Sequence, residues 1–278
     1  MKSLHDKVVV ITGAGSGIGR ALALDLAAKG SRLALSDVDE AGLAETVRLA
    51  EAAGSPEVVG QRLDVADRDA FLAYADEVAA HFGRVNVVVN NAGVALAGDL
   101  VDLDWPDIDW ILGINLGGVI TGTKAFLPHL IASGDGHLVN ISSLFGLLSM
   151  PGQSMYNAAK YAVRGMTEAV REEMLIAGHP VGVTSVHPGG IKTAIARNSR
   201  VSSKEDQKAT AEFFDKKLAK TTPEKAAQII VRGIERNQAR VLVGLDAHAL
   251  HTFAKFSGSR YQDVVARISK KVLPAKAV

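Results

Sequence analysis

A tyrosine and a lysine stand four positions apart at Tyr156 and Lys160, inside a segment whose pattern predicts a helix over residues 154–177. At this spacing both side chains lie on one face of a helix. A free tyrosine has a pKa of about 10, and a neighbouring ammonium lowers that pKa by stabilising the phenolate. The pair can therefore exchange protons near neutral pH, although two unrelated surface residues often share this spacing.

A glycine-rich turn follows the first run of β-branched residues. Residues 8–11 read Val-Val-Val-Ile, and the chain then passes through glycines into a predicted helix. Glycines allow a tight turn and a close approach of the backbone to a pyrophosphate, which binds at the positive end of the following helix. We expect dinucleotide contacts from Gly13, Ser16, Gly17, Ile18 and Gly19.

The end of the second predicted strand carries an acidic residue, Asp37, 18 residues after Gly19. A carboxylate there accepts hydrogen bonds from the adenosine ribose hydroxyls. The 2′-phosphate of NADP would be repelled, and neither Ser16 nor Val38 offers a compensating positive charge. We therefore expect NAD as the cofactor. The alternative is that Asp37 caps the next helix.

The glycine spacing Gly-x-x-x-Gly-x-Gly resembles the TGxxxGxG motif of the short-chain dehydrogenase/reductase family, in its non-extended branch, and the resemblance extends over about residues 7–243. It implies that Ser143, which stands 13 residues before Tyr156, is the catalytic serine. Ser142 is the competing assignment. Asn115 resembles the family's helix asparagine, which helps to hold the lysine through ordered water. The resemblance thus implies a catalytic set of four residues.

Further stretches resemble the family's cofactor contacts, and each also has a purely structural interpretation. An adenine contact is implied for Asp64 and Val65, although Asp64 alone could be a helix N-cap. The Asn-Asn-Ala-Gly motif at residues 90–93 could instead brace the sheet. The Pro-Gly pair before Thr193 could be an ordinary turn. The implied contacts in these two stretches are Asn91, Ala92, Gly93, Pro188, Gly189, Ile191 and Thr193.

The resemblance implies a reaction in which Tyr156 takes the hydroxyl proton of a secondary alcohol while a hydride passes to the nicotinamide, with ketone reduction as the reverse. The expected substrate pocket is largely apolar and is formed by Val94, Ser143, Phe145, Met150, Met155, Phe213 and Phe214. One alternative is a non-catalytic NAD-binding sensor or scaffold protein. Another is an enzyme for a steroid, retinoid or long-chain acyl alcohol at a membrane surface.

The elements that must position these residues alternate between strands and helices, which predicts a single α/β domain with a doubly wound, Rossmann-type parallel sheet of about seven strands and helices on both faces. We predict strands near residues 7–12, 32–37, 58–64, 85–90, 137–142, 181–187 and 240–243. We predict helices near residues 18–29, 40–53, 68–82, 105–133 and 154–177, with a last one starting at Pro223. The domain is expected to span residues 1–246, with a substrate loop at 189–222 and a helical tail at 247–278.

The overall composition narrows the possible partners. A formal net charge of +1 predicts no nucleic-acid binding, and the absence of cysteine excludes thiolate chemistry. The histidines show no metal-site clustering, so no metal is expected. No apolar stretch predicts a signal peptide or a membrane span, and we expect a cytoplasmic protein. The family resemblance implies a homodimer or homotetramer that uses the helices at 105–133 and 154–177. The basic, amphipathic tail is expected to pack on its own domain, with peripheral membrane contact as the alternative.

Overall fold

The computed structural model describes residues 1–272, and the final stretch of the predicted tail, residues 273–278, lies outside the described residues. The strands are β1 (Val8–Thr12), β2 (Arg32–Asp37), β3 (Val58–Arg62), β4 (Val87–Asn90), β5 (Leu96–Ala97), β6 (Gly136–Ile141), β7 (Val181–Pro188), β8 (Arg200–Val201) and β9 (Arg240–Val243). The helices are α1 (Gly17–Ala28), α2 (Glu40–Ala52), α3 (Arg68–Phe82), α4 (Trp105–Leu112), α5 (Val119–Ala132), α6 (Ser154–Ile176), α7 (Gln207–Phe213), α8 (Pro223–Glu235), α9 (Leu245–Ser257) and α10 (Tyr261–Val272).

Seven strands form one parallel sheet in the order β3-β2-β1-β4-β6-β7-β9. The chain builds outward from β1 to β3, then crosses back to place β4 on the other side of β1. Such a reversal leaves a crevice at the carboxyl ends of β1 and β4, where open α/β sheets bind ligands. The predicted fold class, a single Rossmann-type domain of about seven strands, is confirmed.

The sheet is buried on both faces, which explains why its strands are continuous apolar runs. Val9 and Ile11 of β1 pack in one core cluster with residues of α1, α2 and α8. Val8 and Val10 point to the opposite face, where α3, α5 and α6 supply Phe71, Phe126, Met174 and others. The period of two along the strand thus distributes one apolar run between two cores.

The predicted boundaries agree with the structure to within two residues, with an informative difference at the third strand. It was expected to reach residue 64 but ends at Arg62. The Asp64 carboxylate accepts a hydrogen bond of 2.9 Å from the Ala66 amide, so the chain turns there instead of continuing in the sheet. The predicted helix over 105–133 consists of α4 and α5 joined by a π-helical turn, Gly113–Gly118.

Within residues 1–272, one helical segment, Trp105–Ala132, is long and apolar enough to cross a membrane by length and composition, with a mean hydropathy of 1.2 in its most apolar window. Several of its apolar side chains are buried inside the protein. Ile111, Phe126 and Leu130 are fully buried, and the last two belong to the core between α3, α5 and the sheet. We therefore interpret this segment as a core helix.

The predicted substrate loop, residues 189–222, contains a strand and a helix that its polar composition did not predict. Strand β8 pairs in parallel with β5, so that Arg200 lies opposite Leu96. Helix α7 follows, with Asp206 as its N-cap. The pairing ties part of this loop to the segment that directly follows the Asn-Asn-Ala-Gly motif. The predicted tail is helical, but its first helix begins at Leu245, two residues before the expected boundary.

Candidate active site

The glycine turn lies at the carboxyl end of β1 and brings backbone very close to backbone. Gly13 has φ of +66°, and a Cβ on it would lie 2.8 Å from the Ala92 Cα. A Cβ on Gly19 would lie 2.1 Å from the Gly13 oxygen. Ser16 is the N-cap of α1, but its side chain makes no capping hydrogen bond. The first turn of α1 is therefore not capped by this side chain and can accept an anionic group, as a pyrophosphate site requires.

A buried threonine joins this turn to the Asn-Asn-Ala-Gly motif of the neighbouring strand. The Thr12 hydroxyl accepts hydrogen bonds of 3.1 Å from the backbone amides of Asn91 and Ala92. The Asn91 side chain donates in return to the backbone oxygens of Thr12 and Gly13, at 2.9 and 3.1 Å. These bonds lock the ends of β1 and β4 together at the crevice, so the motif braces the site as well as lining it.

Asp37 lies beside the glycine turn and does not cap the next helix. Its Oδ2 accepts a hydrogen bond of 2.8 Å from the Gly15 amide, and its Oδ1 accepts one of 3.0 Å from the Asp39 amide. The N-cap of α2 is Asp39, whose side chain accepts from Gly42. The capping interpretation of Asp37 is therefore wrong.

Asp64 and Val65 follow β3 at the same edge of the sheet. The N-cap of α3 is Asp67, whose side chain accepts from the Ala70 amide, so the N-cap alternative for Asp64 is wrong as well. Asp64 forms a local turn and is exposed, whereas Val65 is buried. Val65 also lies against the π-helical turn, since a Cβ on Gly118 would come within 2.8 Å of its Cγ2.

Tyr156, Lys160 and Ser143 come together beyond the ends of β4 and β6. The Lys160 Nζ lies 5.7 Å from the centroid of the Tyr156 ring, so the two residues do share one side of α6. Burial raises the pKa of the Tyr156 phenol, and a hydrogen bond with the Ser143 side chain lowers it. The Ser143 Oγ also accepts a bond of 3.1 Å from the Phe145 amide, which leaves its own proton available to another acceptor.

Lys160 is held rigidly within the protein. Its side chain is buried, and its Nζ donates a hydrogen bond of 3.0 Å to the backbone oxygen of Ile141 at the end of β6. Burial lowers the pKa of Lys160 to about 8. The ammonium therefore remains mostly protonated at neutral pH, where it can stabilise a phenolate electrostatically.

The two candidate serines have different environments. The Ser142 hydroxyl donates a hydrogen bond of 2.8 Å to the backbone oxygen of Lys160, so it is committed to positioning α6. A Cβ on Gly146 would lie only 2.4 Å from the Ser142 Oγ, which shows how closely this hydroxyl is packed. Ser143 is the one with a hydrogen bond to Tyr156. The geometry favours Ser143 over Ser142 as the residue that meets a substrate.

Asn115 lies in the π-helical turn between α4 and α5 and is completely buried. Its side chain accepts a hydrogen bond of 2.8 Å from the Val94 amide and donates one of 2.8 Å to the Val94 oxygen. A Cβ on Gly93 would lie 3.2 Å from the Asn115 Oδ1 and 3.5 Å from the Lys160 Nζ. Asn115 and Lys160 thus both approach the space beside Gly93, and the asparagine lies in an irregular helical turn.

The segment after β7 lies over the glycine turn. Thr193 approaches Gly17 closely, because a Cβ on that glycine would lie 3.1 Å from the Thr193 Cγ2. Ser16, Gly17 and Thr193 also line a surface cavity of about 500 Å³. The side chain of Ile191 is buried in the core cluster that contains Val186. Its backbone, and that of Pro188 and Gly189, lies at the carboxyl edge of β7.

Most of the expected substrate-pocket residues lie beside the candidate catalytic residues, and two lie at the end of α7. Phe145 meets the Tyr156 ring edge-on, with centroids 6.2 Å apart, and Phe145 and Met150 pack against the same small core cluster. Val94 is held by Asn115, and Met155 is half-buried beside Tyr156 at the start of α6. Phe213 and Phe214 are half-buried at the end of α7. Their place in a substrate pocket stays a prediction.

Three residues that shape the site were not predicted from the sequence. Thr12 opens the glycine motif and could have been found from that position. Arg20 donates to the backbone oxygens of Gly15 and Gly42, and to the Thr46 hydroxyl, so it fastens the glycine turn to α2. Asn157 directly follows Tyr156 and bonds to the loop before it. Nothing in the local spacing distinguishes these last two from ordinary helix residues.

No group of metal-ligating side chains is present in residues 1–272.

Comparison with known proteins gives the family. The family model described as short chain dehydrogenase matches residues 7–204. The chain belongs to the short-chain dehydrogenase family. Across nearly its whole length it is similar to the Mycobacterium tuberculosis protein named "Putative oxidoreductase SadH", with 61% identity over 274 residues and 99% of both chains covered. It is an oxidoreductase of the short-chain dehydrogenase type.

Two further relatives of this short-chain dehydrogenase cover most of its length. The Thermotoga maritima 3-oxoacyl-[acyl-carrier-protein] reductase FabG is 35% identical over 229 residues, which are 82% of this chain and 90% of the relative. A short-chain dehydrogenase/reductase from Burkholderia phymatum, solved in complex with NAD, is 33% identical with a TM-score of 0.85. That comparison covers 92% of this chain and 95% of the solved one.

Proposed function

We propose that this short-chain dehydrogenase uses NAD to transfer a hydride between nicotinamide and a secondary alcohol or ketone of largely apolar character, with Tyr156 as the acid/base. The observation that carries the proposal is the approach of Tyr156, Ser143 and a buried lysine at the same sheet edge as the glycine turn. The Thermotoga maritima relative is a 3-oxoacyl-[acyl-carrier-protein] reductase by name, which supports a carbonyl substrate.

The proposal of NAD over NADP rests on the charges around the glycine turn. Asp37 presents its carboxylate there, bonded to the Gly15 amide. Arg20, which directly follows the motif, is engaged by the Gly15 and Gly42 oxygens and by Thr46, although Arg62 stands opposite Asp37 on β3 and pairs with Glu40 at 3.4 Å. Arg20 is therefore not free to neutralise a 2′-phosphate. The Burkholderia phymatum relative was solved with NAD, which supports the same choice.

A bound nicotinamide supplies the hydride acceptor or donor. In alcohol oxidation, the Tyr156 phenolate accepts the hydroxyl proton of the substrate, and the Lys160 ammonium stabilises that phenolate beforehand. The Ser143 hydroxyl donates to the substrate oxygen as its negative charge develops. Asn115 holds the Val94 backbone, directly after Gly93, whose Cβ position lies 3.5 Å from the Lys160 Nζ. Ketone reduction uses the same groups, with Tyr156 returning the proton.

We also propose that the enzyme is a homodimer or homotetramer. Trp105 at the start of α4 is 77% exposed, and Ile176 at the end of α6 is 87% exposed, on the two helical segments expected to form the interface. Both side chains are therefore accessible to a partner subunit. Analytical ultracentrifugation of the full chain tests this, and a monomer at micromolar concentration would contradict it.

The experiment that tests the proposed reaction is NADH production across a panel of alcohols, with cyclohexanol, phenylethanol, a hydroxybutyrate ester and testosterone as representatives. Wild type should oxidise at least one of them, and Tyr156→Phe should abolish turnover. NADH binding, followed by fluorescence, should be nearly unchanged in Tyr156→Phe. Tight NADH binding with no turnover on the panel would instead favour a non-catalytic sensor or scaffold.

A further inference from the structure

The C-terminal helices α9 and α10 contact the candidate active site at two places, although the family match ends at residue 204. The first contact is made by Tyr261, the first residue of α10, which is buried. Its hydroxyl oxygen accepts a hydrogen bond of 2.9 Å from the Ser149 amide. Ser149 lies in the loop of residues 143–150, between Ser143 and the helix that carries Tyr156. We call this segment the serine loop.

Apolar packing accompanies that hydrogen bond. Leu144 and Leu148 of the serine loop form one buried cluster with Ala247, Ala254 and Tyr261 of the two C-terminal helices. Phe145 and Met150 pack against the same cluster. Because the Phe145 ring also meets the Tyr156 ring edge-on, the chain of contacts runs without a break from the C-terminal helices to the proposed acid/base.

A second anchor holds the serine loop from the side of α6, where the Tyr161 side chain also shares hydrogen bonds with Ser149 and Tyr261. The Asn157 side chain donates to the oxygens of Phe145 and Leu148, at 2.8 and 3.2 Å. It also accepts from the Met150 amide at 3.2 Å. The backbone polar groups of 145, 148 and 150 are thus bonded to α6, whereas the amide of residue 149 is bonded to Tyr261.

The other tail contact is made at the end of β7, the strand next to β6. Asp246, in the first turn of α9, accepts a hydrogen bond of 2.7 Å from the Gly190 amide. A Cβ on Gly189 would lie 2.2 Å from the Asp246 Oδ2, so this carboxylate sits directly against the Pro-Gly turn that ends β7. That turn is one of the segments expected to contact the cofactor.

We propose that α9 and α10 are a positioning element of the active site: Tyr261 sets the serine loop that faces the substrate, and Asp246 sets the Pro-Gly turn that faces the cofactor. The inference rests on the proposed function and adds residues outside the matched family region. Hydrogen bonds to two different segments, the serine loop and the Pro-Gly turn, predict two separable kinetic effects. A tail that merely stabilised the fold would weaken both functions in proportion to the loss of stability.

Tyr261→Phe tests the first contact, with Tyr74→Phe as a matched control that removes a phenol hydroxyl from α3, far from the site. Loss of one buried hydrogen bond corresponds to about a three- to tenfold change. We expect kcat/KM for phenylethanol to fall by that factor in Tyr261→Phe, with NADH affinity within about twofold of wild type. Equal kcat/KM in the two variants would overturn the assignment of Tyr261.

Asp246→Ala and Asp246→Asn test the second contact, because asparagine keeps an oxygen that can accept from Gly190. Asp246→Ala should weaken NADH binding about three- to tenfold, and Asp246→Asn should restore most of it. Identical NADH affinity in wild type and Asp246→Ala would overturn the assignment of Asp246. Melting temperatures of all four variants show whether the kinetic losses simply follow stability, which would overturn the proposal as a whole.

Amide hydrogen exchange tests the positioning role independently of the proposed reaction, because the measurement needs no substrate. In Tyr261→Phe, amide exchange in residues 144–150 should accelerate while the strands of the central sheet remain as protected as in wild type. If wild type oxidised no alcohol of the panel, the proposed reaction would fail and exchange would still judge the positioning role. Unchanged exchange in an active enzyme would refute the positioning role alone.

Discussion

Replacing Lys160 by methionine removes the charge on which the proposed proton transfer depends. Methionine is also a long, unbranched side chain, so the substitution largely preserves packing at this buried site. Taking the 5.7 Å between the Lys160 Nζ and the Tyr156 ring centroid as the separation of charges, an effective dielectric constant of about 20 gives an attraction of about 3 kcal/mol for the phenolate. In a reaction whose base is that phenolate, this corresponds to a loss of about 100-fold in rate near neutral pH.

The pH dependence carries the sharper test. Without the ammonium, burial raises the pKa of Tyr156 against only the smaller, opposite effect of the Ser143 hydrogen bond, so the phenolate forms at more alkaline pH. The deficit of Lys160→Met in alcohol oxidation should therefore shrink as the pH rises. In the wild type, the pKa of Lys160 of about 8 keeps the ammonium present at neutral pH, where the advantage is largest.

The assay is initial-rate NADH formation with saturating NAD at several pH values, so that weaker cofactor binding does not contribute. Lys225→Met, which makes the same substitution at an exposed position of α8, is the control and should match the wild type. A turnover number for Lys160→Met within about threefold of wild type at neutral pH would refute the electrostatic reasoning. A large deficit that does not change with pH would also refute it.

Three further outcomes follow from the geometry. Ser143→Ala should lower kcat/KM about 100-fold, whereas Ser142→Ala should cost about 1 kcal/mol of unfolding free energy and leave kcat/KM nearly unchanged; the reverse pattern in kinetics would exchange the two roles. Asp37→Ser should lower NAD efficiency about tenfold and raise the NADP to NAD efficiency ratio; an unchanged ratio in cofactor kinetics would contradict the NAD assignment. Burial lowers the pKa of His187 to about 4, below its ordinary 6.5. The unfolded chain therefore binds a proton first, and urea melts should show the free energy of unfolding decreasing by up to about 3 kcal/mol as the pH falls from 6.5 through 4. His187→Gln should show a shallower decrease, and an equal slope would contradict this origin.

The order of strands and helices could be predicted from the sequence, because the residue pattern of each element reflects which of its faces are buried. Strand β1 is buried on both faces and is therefore a continuous β-branched run. The turn after it is recognisable from its closely spaced glycines. The family resemblance then implied the same positions for the serine, tyrosine and lysine that the fold brings to one edge. These features depend on neighbours in sequence, so a pattern of residue types is enough to predict them.

Tertiary structure alone decided which neighbour each polar group meets. Ser142 and Ser143 are adjacent and chemically identical, yet one bonds to the backbone of Lys160 and the other to Tyr156. Asp37 was open to two interpretations until its carboxylate was found against the Gly15 amide. Tyr261 lies 112 residues from Ser149 in the chain, and no local spacing relates them. Such contacts form only when the sheet closes distant segments onto one another, so the sequence by itself cannot distinguish their partners.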